Sequence, residues 1–213
     1  MHTECLAPQA LKTVKRLQVI IRDHDFVLAG GTAVALYLGH RISVDLDFFT
    51  ERRFSTEKIF QAMKRQGLAP ATLQEEEGTL TVTIEGVKVS LFSYPYPFLE
   101  KKADLRGISV AGIIDIASMK VLAITQRGAK RDFVDLYFIL RDVPFAKVAA
   151  NMFERFGAGR INPAVIGKAL VYFDDAEADP EPRYLTKKRD WNSVKKYFVD
   201  HVRQFTLDLQ GNV

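Results

Sequence analysis

Apolar residues recur at helical spacing between Ala10 and Asp23, where Leu11, Val14, Leu17, Ile20 and Ile21 share one face and predict an amphipathic helix. The spacing then changes. Phe26 to Ala29 is a short apolar run ending at Gly30-Gly31, which reads as a strand. Thr32 to Leu38 reads as a short helix, capped by Thr32 and stopped by Gly39. Val44 to Thr50 predicts a second strand. Ser55 to Gln66, with a serine cap and a closing Gly67, predicts a helix. Leu68 to Gln74, Thr79 to Glu85 and Val87 to Tyr94 are rich in Thr, Val, Leu and Phe. A Glu85-Gly86 turn between the last two predicts a hairpin or meander. Pro95 and Pro97 end this region, and from Ile113 the period becomes helical. Helices are predicted over Ile113 to Gln126, Arg131 to Arg141, Pro144 to Phe156, Pro163 to Phe173 and Trp191 to Leu209, with Asp174 to Glu181 as an acidic loop. The plan is an α+β amino-terminal half, built on a small mixed sheet with flanking helices, followed by a helical carboxy-terminal half.

Composition narrows the class. The 213 residues are 47% hydrophobic and 26% charged, as in an ordinary globular protein, and no apolar run reaches the ~18 residues a membrane span requires. No membrane association is expected. The first residues lack a basic head, an apolar stretch and a small-residue cleavage site, so a cytoplasmic location is the expectation. Cys5 is the only cysteine, which excludes an intramolecular disulfide and a cysteine-based zinc site. The net charge of +4 tilts mildly towards anionic partners, with basic residues gathered at Lys120 to Arg131 and at Lys187, Lys188 and Arg189.

The unusual feature is a pair of aspartates, Asp45 and Asp47, inside an apolar run. On a strand, alternate side chains share a face, so the two carboxylates would be neighbours. Two like charges on a half-buried strand need protonation, basic partners or a cation. One aspartate capping the turn after Ser43 and the other pairing with Arg41 or Arg52 would satisfy them. So would Mg²⁺, which takes one or two carboxylates and completes its shell with water and substrate phosphate. Upstream, Gly30-Gly31-Thr32 sits between a strand and a helix, where bare backbone lets a phosphate approach N–H groups at a helix start.

Strand, Gly-Gly-Thr, short helix and an Asp-x-Asp strand together resemble the nucleotidyltransferase superfamily. More narrowly, Leu28-Ala-Gly-Gly-Thr-Ala33, His40-Arg-Ile-Ser43 and Asp45-Leu-Asp-Phe-Phe49 resemble the AbiEii/AbiGii family, nucleotidyltransferase-like toxins of bacterial and archaeal toxin–antitoxin and phage-defence systems. Lys120, Arg127 and Lys130-Arg-Asp-Phe-Val-Asp-Leu136 resemble its second block. Tyr172-Phe-Asp-Asp-Ala176 and Trp191-Asn-Ser-Val-Lys195 resemble its carboxy-terminal part, so the likeness covers nearly the whole chain.

The resemblance implies a nucleotidyltransferase-like core over residues 1–108 and a helical region over 109–213 that packs on it and completes the active site. It implies one or two Mg²⁺ ions held by Asp45 and Asp47, with Lys120 meeting nucleotide phosphate. Asp132 is favoured over Asp135 as a further catalytic acid, with Asp135 supporting Arg131 or Arg127. Gly30, Gly31, Thr32, Arg41, Ser43, Arg127 and Arg131 make up the expected nucleotide-binding set. The donor is a nucleoside triphosphate, the acceptor tRNA or a protein hydroxyl, and a cognate antitoxin is a further expected partner. One departure stands out: the strand Val87 to Phe92 offers Ser90 where classical members carry a third acid. That motivates an alternative, a degenerate fold that binds nucleotide, RNA or antitoxin without turnover. Phosphoryl transfer to a protein is a third reading.

Overall fold

The computed structural model describes residues 1–185 and 190–211, so the basic run Lys187, Lys188 and Arg189 lies outside the described residues. The chain divides into two compact units. One comprises residues 1–97 and 101–111, and the other residues 98–100 and 112–213.

The first unit is a mixed sheet of seven strands in the order β3-β4-β5-β2-β1-β7-β6. These are β1 Val27–Ala29, β2 Leu46–Thr50, β3 Ala71–Glu76, β4 Thr79–Ile84, β5 Val87–Ser93, β6 Ala103–Leu105 and β7 Ile108–Val110. β2 runs antiparallel to β1 and parallel to β5. Its burial alternates: Leu46, Phe48 and Thr50 are buried, Asp47 and Phe49 half-exposed. In register with the first set are Leu28, Leu80, Val82, Val89 and Leu91, all without exposed surface. This is the core row of the sheet. Helix α1 (Pro8–Asp23) packs on β5 and β7 and on helix α3 (Thr56–Arg65), whose start Ser55 caps by accepting from the Lys58 N–H at 3.3 Å. The β4–β5 turn is Glu85-Gly86, both at positive φ (49° and 80°), as a two-residue hairpin of this twist requires.

Three expectations shift. Asp45 precedes β2 instead of lying within it, because the ladder to β5 begins only at Leu46. Helix α2 starts at Gly30 and not Thr32, so the glycine pair forms its first turn. The β6–β7 hairpin, turning at Arg106-Gly107, was not predicted; its strands have three residues each, too short for period-two alternation to stand out.

The second unit is helical: α4 Ile113–Arg127, α5 Lys130–Leu140, α6 Phe145–Phe156, α7 Pro163–Ala169, α8 Asp174–Glu177 and α9 Trp191–Gln210. The expected acidic loop therefore opens as a short helix, and the helix expected over Pro163 to Phe173 ends at Ala169. Phe133 of α5 packs edge-on against Trp191 and Phe198 of α9, at 6.0 and 5.4 Å between ring centres. The α4 start is capped from Glu100, whose carboxylate accepts from the Ile114 N–H at 2.6 Å while its own N–H donates to Asp115 at 2.9 Å.

Candidate active site

In the first unit, the glycine pair meets the second aspartate. Gly30 has φ +66°, and a Cβ built there would lie 2.9 Å from Asp47 Oδ2 and 3.6 Å from its Cγ. The Asp47 carboxyl group thus rests where a side chain at position 30 would go, which explains the glycine sterically. No side chain caps α2, so the N–H groups of its first turn take no partner from a capping residue. A carboxylate beside a helix N-terminus is favoured by the helix dipole, which accounts for part of the arrangement without any ligand.

Asp45 is fixed differently. Its backbone carbonyl accepts the Thr32 hydroxyl, and Thr32 Oγ1 lies 2.7 Å from Ser43 Oγ. Thr32 and Ser43 are both buried, so their hydroxyls face inward and main-chain N–H groups are what α2 can present to a phosphate. Arg41 is also buried, with Nη1 donating to the Ile42 carbonyl at 3.2 Å, and His40 is buried beside it. Ser90 pairs with Asp47 across β2 and β5 and is buried. The position read from sequence as that of a third acid is therefore the neighbour of Asp47, and it carries a hydroxyl.

In the second unit, Lys120 projects from α4 onto the start of α5. Its Nζ lies 2.7 Å from Asp132 Oδ1 and 2.7 Å from Asp135 Oδ2, and both aspartates have 0% exposed side chains. Arg127 grips Asp132 from outside, with Nε 2.8 Å from Oδ2 and Nη2 3.2 Å from Oδ1, a bidentate fork on one carboxylate. Its side chain is 54% exposed. Burial would push the Asp132 carboxyl up, but the Lys120 charge and the Arg127 hydrogen bond outweigh it and hold the group below its ordinary value of 3.8. Asp135 also binds Lys120, because the i,i+3 pair on α5 presents both acids to one ammonium. Arg131 is exposed on the same helix.

Sequence reasoning missed a second buried ionic cluster. Asp115 accepts from Asn151 Nδ2 at 2.8 Å, and Arg155 Nη1 donates to the Asp115 carbonyl at 2.7 Å and to Ser118 Oγ at 2.9 Å. These residues tie α6 to α4. Their apolar flanks resemble helix surfaces, and only the i,i+4 spacing of Asn151 and Arg155 on an otherwise apolar face gave a signal.

Comparison with known proteins agrees with this architecture. The family model described as "Nucleotidyl transferase AbiEii toxin, Type IV TA system" matches residues 14–207. The chain belongs to the AbiEii nucleotidyltransferase toxin family. A relative from Aquifex aeolicus (strain VF5), aq_aa25, is 37% identical over 202 residues, covering 92% of this chain and 94% of that protein. Among solved structures, JHP933 from Helicobacter pylori superposes with a TM-score of 0.56 at 19% identity, over 97% of this chain and 95% of its own. MenT4, the nucleotidyltransferase toxin Rv2826c from Mycobacterium tuberculosis H37Rv, gives 0.53 at 14% identity, over 95% and 92%. At those identities the likeness shows the fold, an α+β nucleotidyltransferase core with a helical carboxy-terminal half. The family match makes this AbiEii-family chain a nucleotidyltransferase. Among the described residues, no helix is long and apolar enough to cross a membrane.

Proposed function

We propose that this AbiEii-family enzyme transfers a nucleoside monophosphate from a nucleoside triphosphate to a hydroxyl of RNA, with tRNA the favoured acceptor, in the cytoplasm. The observation that carries the reading is the Asp47 carboxylate resting on Gly30 at the uncapped start of α2, which brings an acid and main-chain anion donors together.

The donor set suits Mg²⁺. Among the described residues no three His, Cys, Asp or Glu side chains gather into a cage. Asp45 and Asp47 supply carboxylate oxygens of the kind Mg²⁺ takes when substrate phosphates complete its shell. When bound, the ion would neutralise charge developing on the transferred phosphate and the leaving group. The protein's own part starts at α2, where the N–H groups of Gly31 and Thr32 hold phosphate oxygens. A carboxylate oxygen of the aspartate pair orients the acceptor hydroxyl and takes its proton as the oxygen attacks the α-phosphorus. The bond from that phosphorus to the bridging oxygen breaks, and pyrophosphate leaves. In the second unit, Arg127, half-exposed and braced by Asp132, is suited to binding an anion. Lys120, buried between two carboxylates, holds Asp132 in place for that task, a role that differs from direct phosphate contact. A toxin of this type would be held by a cognate antitoxin.

Incubation with α- or γ-labelled nucleoside triphosphates, Mg²⁺ and total tRNA tests the reading. Label from the α position on tRNA, absent with Asp45→Ala, is the expected result. α-Label on protein would make the acceptor a protein hydroxyl, and label only from the γ position would make the reaction phosphoryl transfer. Nucleotide binding with no incorporation into any RNA or protein pool would overturn it.

A further inference from the structure

Asp45 lies one residue before β2, outside the ladder that fixes Asp47, so something other than sheet pairing must hold it. Three contacts do so in series. Thr32, on α2, donates to the Asp45 carbonyl. Its hydroxyl lies 2.7 Å from Ser43 Oγ. Ser43 in turn is bound from outside by the amino-terminal segment: its N–H donates to the Cys5 carbonyl at 3.0 Å, and Leu6 bridges to it in parallel. The same segment reaches the other end of the α2–β2 connection. The His2 N–H donates to the Leu36 carbonyl at 2.7 Å, one of the carbonyls a helix end leaves unpaired. The His2 ring occupies the space beside Gly39, where a Cβ would lie 2.7 Å from its Cγ. Residues 39–45 are thus pinned at both ends by residues 2–6, and the last pin passes through Thr32 to Asp45.

We propose that the side chains of Thr32 and Ser43 position Asp45, clamped by the amino-terminal segment, and that their hydroxyls are not ligands of the nucleotide phosphate. The burial of both hydroxyls and their mutual contact favour this over direct phosphate binding. Fixing the main chain at Asp45 fixes the direction of its Cα–Cβ bond, and with it the carboxylate that the proposed function gives to a divalent ion. That last link rests on the proposed function; the clamp itself does not.

The test compares the full chain carrying Thr32→Val, which keeps the shape and loses the hydroxyl, with Thr32→Ser, which keeps the hydroxyl. Three quantities are read: amide hydrogen exchange over residues 42–46, Mn²⁺ affinity by calorimetry without nucleotide, and the separate KM and kcat of transfer. Thr32→Val is expected to speed exchange over 42–46 and to weaken Mn²⁺ binding about 10- to 100-fold, the effect typical of losing a group that orients a metal ligand, with Thr32→Ser restoring both. The loss in turnover should fall on kcat, leaving KM for the triphosphate little changed. A rise in KM with Mn²⁺ affinity intact would make the Thr32 hydroxyl a phosphate ligand and overturn the proposal. So would unchanged exchange, or faster exchange and a lower Tm with normal Mn²⁺ affinity. If the native protein neither binds Mn²⁺ nor transfers nucleotide, the proposed function falls, and exchange over 42–46 alone decides the clamp. Should Thr32→Val fail to fold, Ser43→Ala carries the same comparison from the outer side.

Discussion

Replacing Lys120 with methionine removes one charge from a network of two acids and two bases while nearly conserving volume. Its Nζ is 2.7 Å from each of two aspartates with no exposed side-chain surface, and Lys120 itself is only 5% exposed. Solvent therefore does little to screen the pair, and the discount applied to surface salt bridges does not apply. Removing one partner of a buried ion pair costs about 3–5 kcal/mol, because the acid left behind is a buried charge short of compensation. Asp132 keeps the Arg127 fork, which softens the loss on that side. The pH dependence has a definite sign. In the native protein the folded pKa of Asp132 is depressed, so its contribution is present above its ordinary value of 3.8 and lost as pH falls through the lower folded value. In Lys120→Met, Asp132 stays buried without the ammonium that lowered its pKa, so its folded value rises, and the penalty is full at neutral pH and shrinks as it takes up a proton. Urea unfolding at pH 7 and pH 4.5 measures both, and Lys120→Met/Asp135→Leu should recover much of the loss at pH 7. A loss below about 1 kcal/mol at pH 7 would contradict the buried-pair magnitude. A difference that widens in acid would contradict the sign.

Asp45→Asn should lower kcat/KM for transfer by about 10²–10³-fold, the scale of losing one transition-state electrostatic group, with Tm little changed because Asp45 is half-exposed; steady-state kinetics and calorimetry separate the two. Gly30→Ala must hold φ +66° and meet Asp47 Oδ2 at 2.9 Å, so it should lose at least about 1–2 kcal/mol from backbone strain and displace the carboxylate, with transfer falling further than stability does. Burial, followed by the nearby Glu4 charge, pushes the Cys5 thiol up to about 11, so native protein at pH 8 should resist a disulfide-exchange reagent that reacts at once in urea. Because that folded value exceeds the ordinary 9.0, the associated stability is present below pH 9 and lost as pH rises through about 11, visible as a falling Tm in alkali.

What could be read from sequence divides along a physical line. Elements whose identity depends on contacts close in the chain were legible: the Ser55 cap, the Glu85-Gly86 turn and the period of α4 each follow from neighbours within a few positions. The resemblance marked Ser90 as the place of a third acid, but its register opposite Asp47 came only with the pairing of the two strands. What stayed hidden depends on groups far apart in sequence. Thr32 reads as a helix cap or a phosphate hydroxyl, and its bond to the Asp45 carbonyl, 13 positions away, becomes visible only in the fold. Lys120 reads as a phosphate ligand, and its ion pairs with Asp132 and Asp135 become visible only in the fold. Nothing in residues 2–6 signals that their main chain grips Ser43, since backbone hydrogen bonds leave no mark on residue type. Chemistry-bearing residue types were thus visible as candidates, whereas the contacts behind the proposed division between ligands and positioning groups came only with the tertiary fold. That division is where the two classes of variant should part: loss of a positioning hydroxyl is repaired by another hydroxyl, as Thr32→Ser for Thr32→Val, while loss of the Asp45 carboxylate is not repaired by its amide.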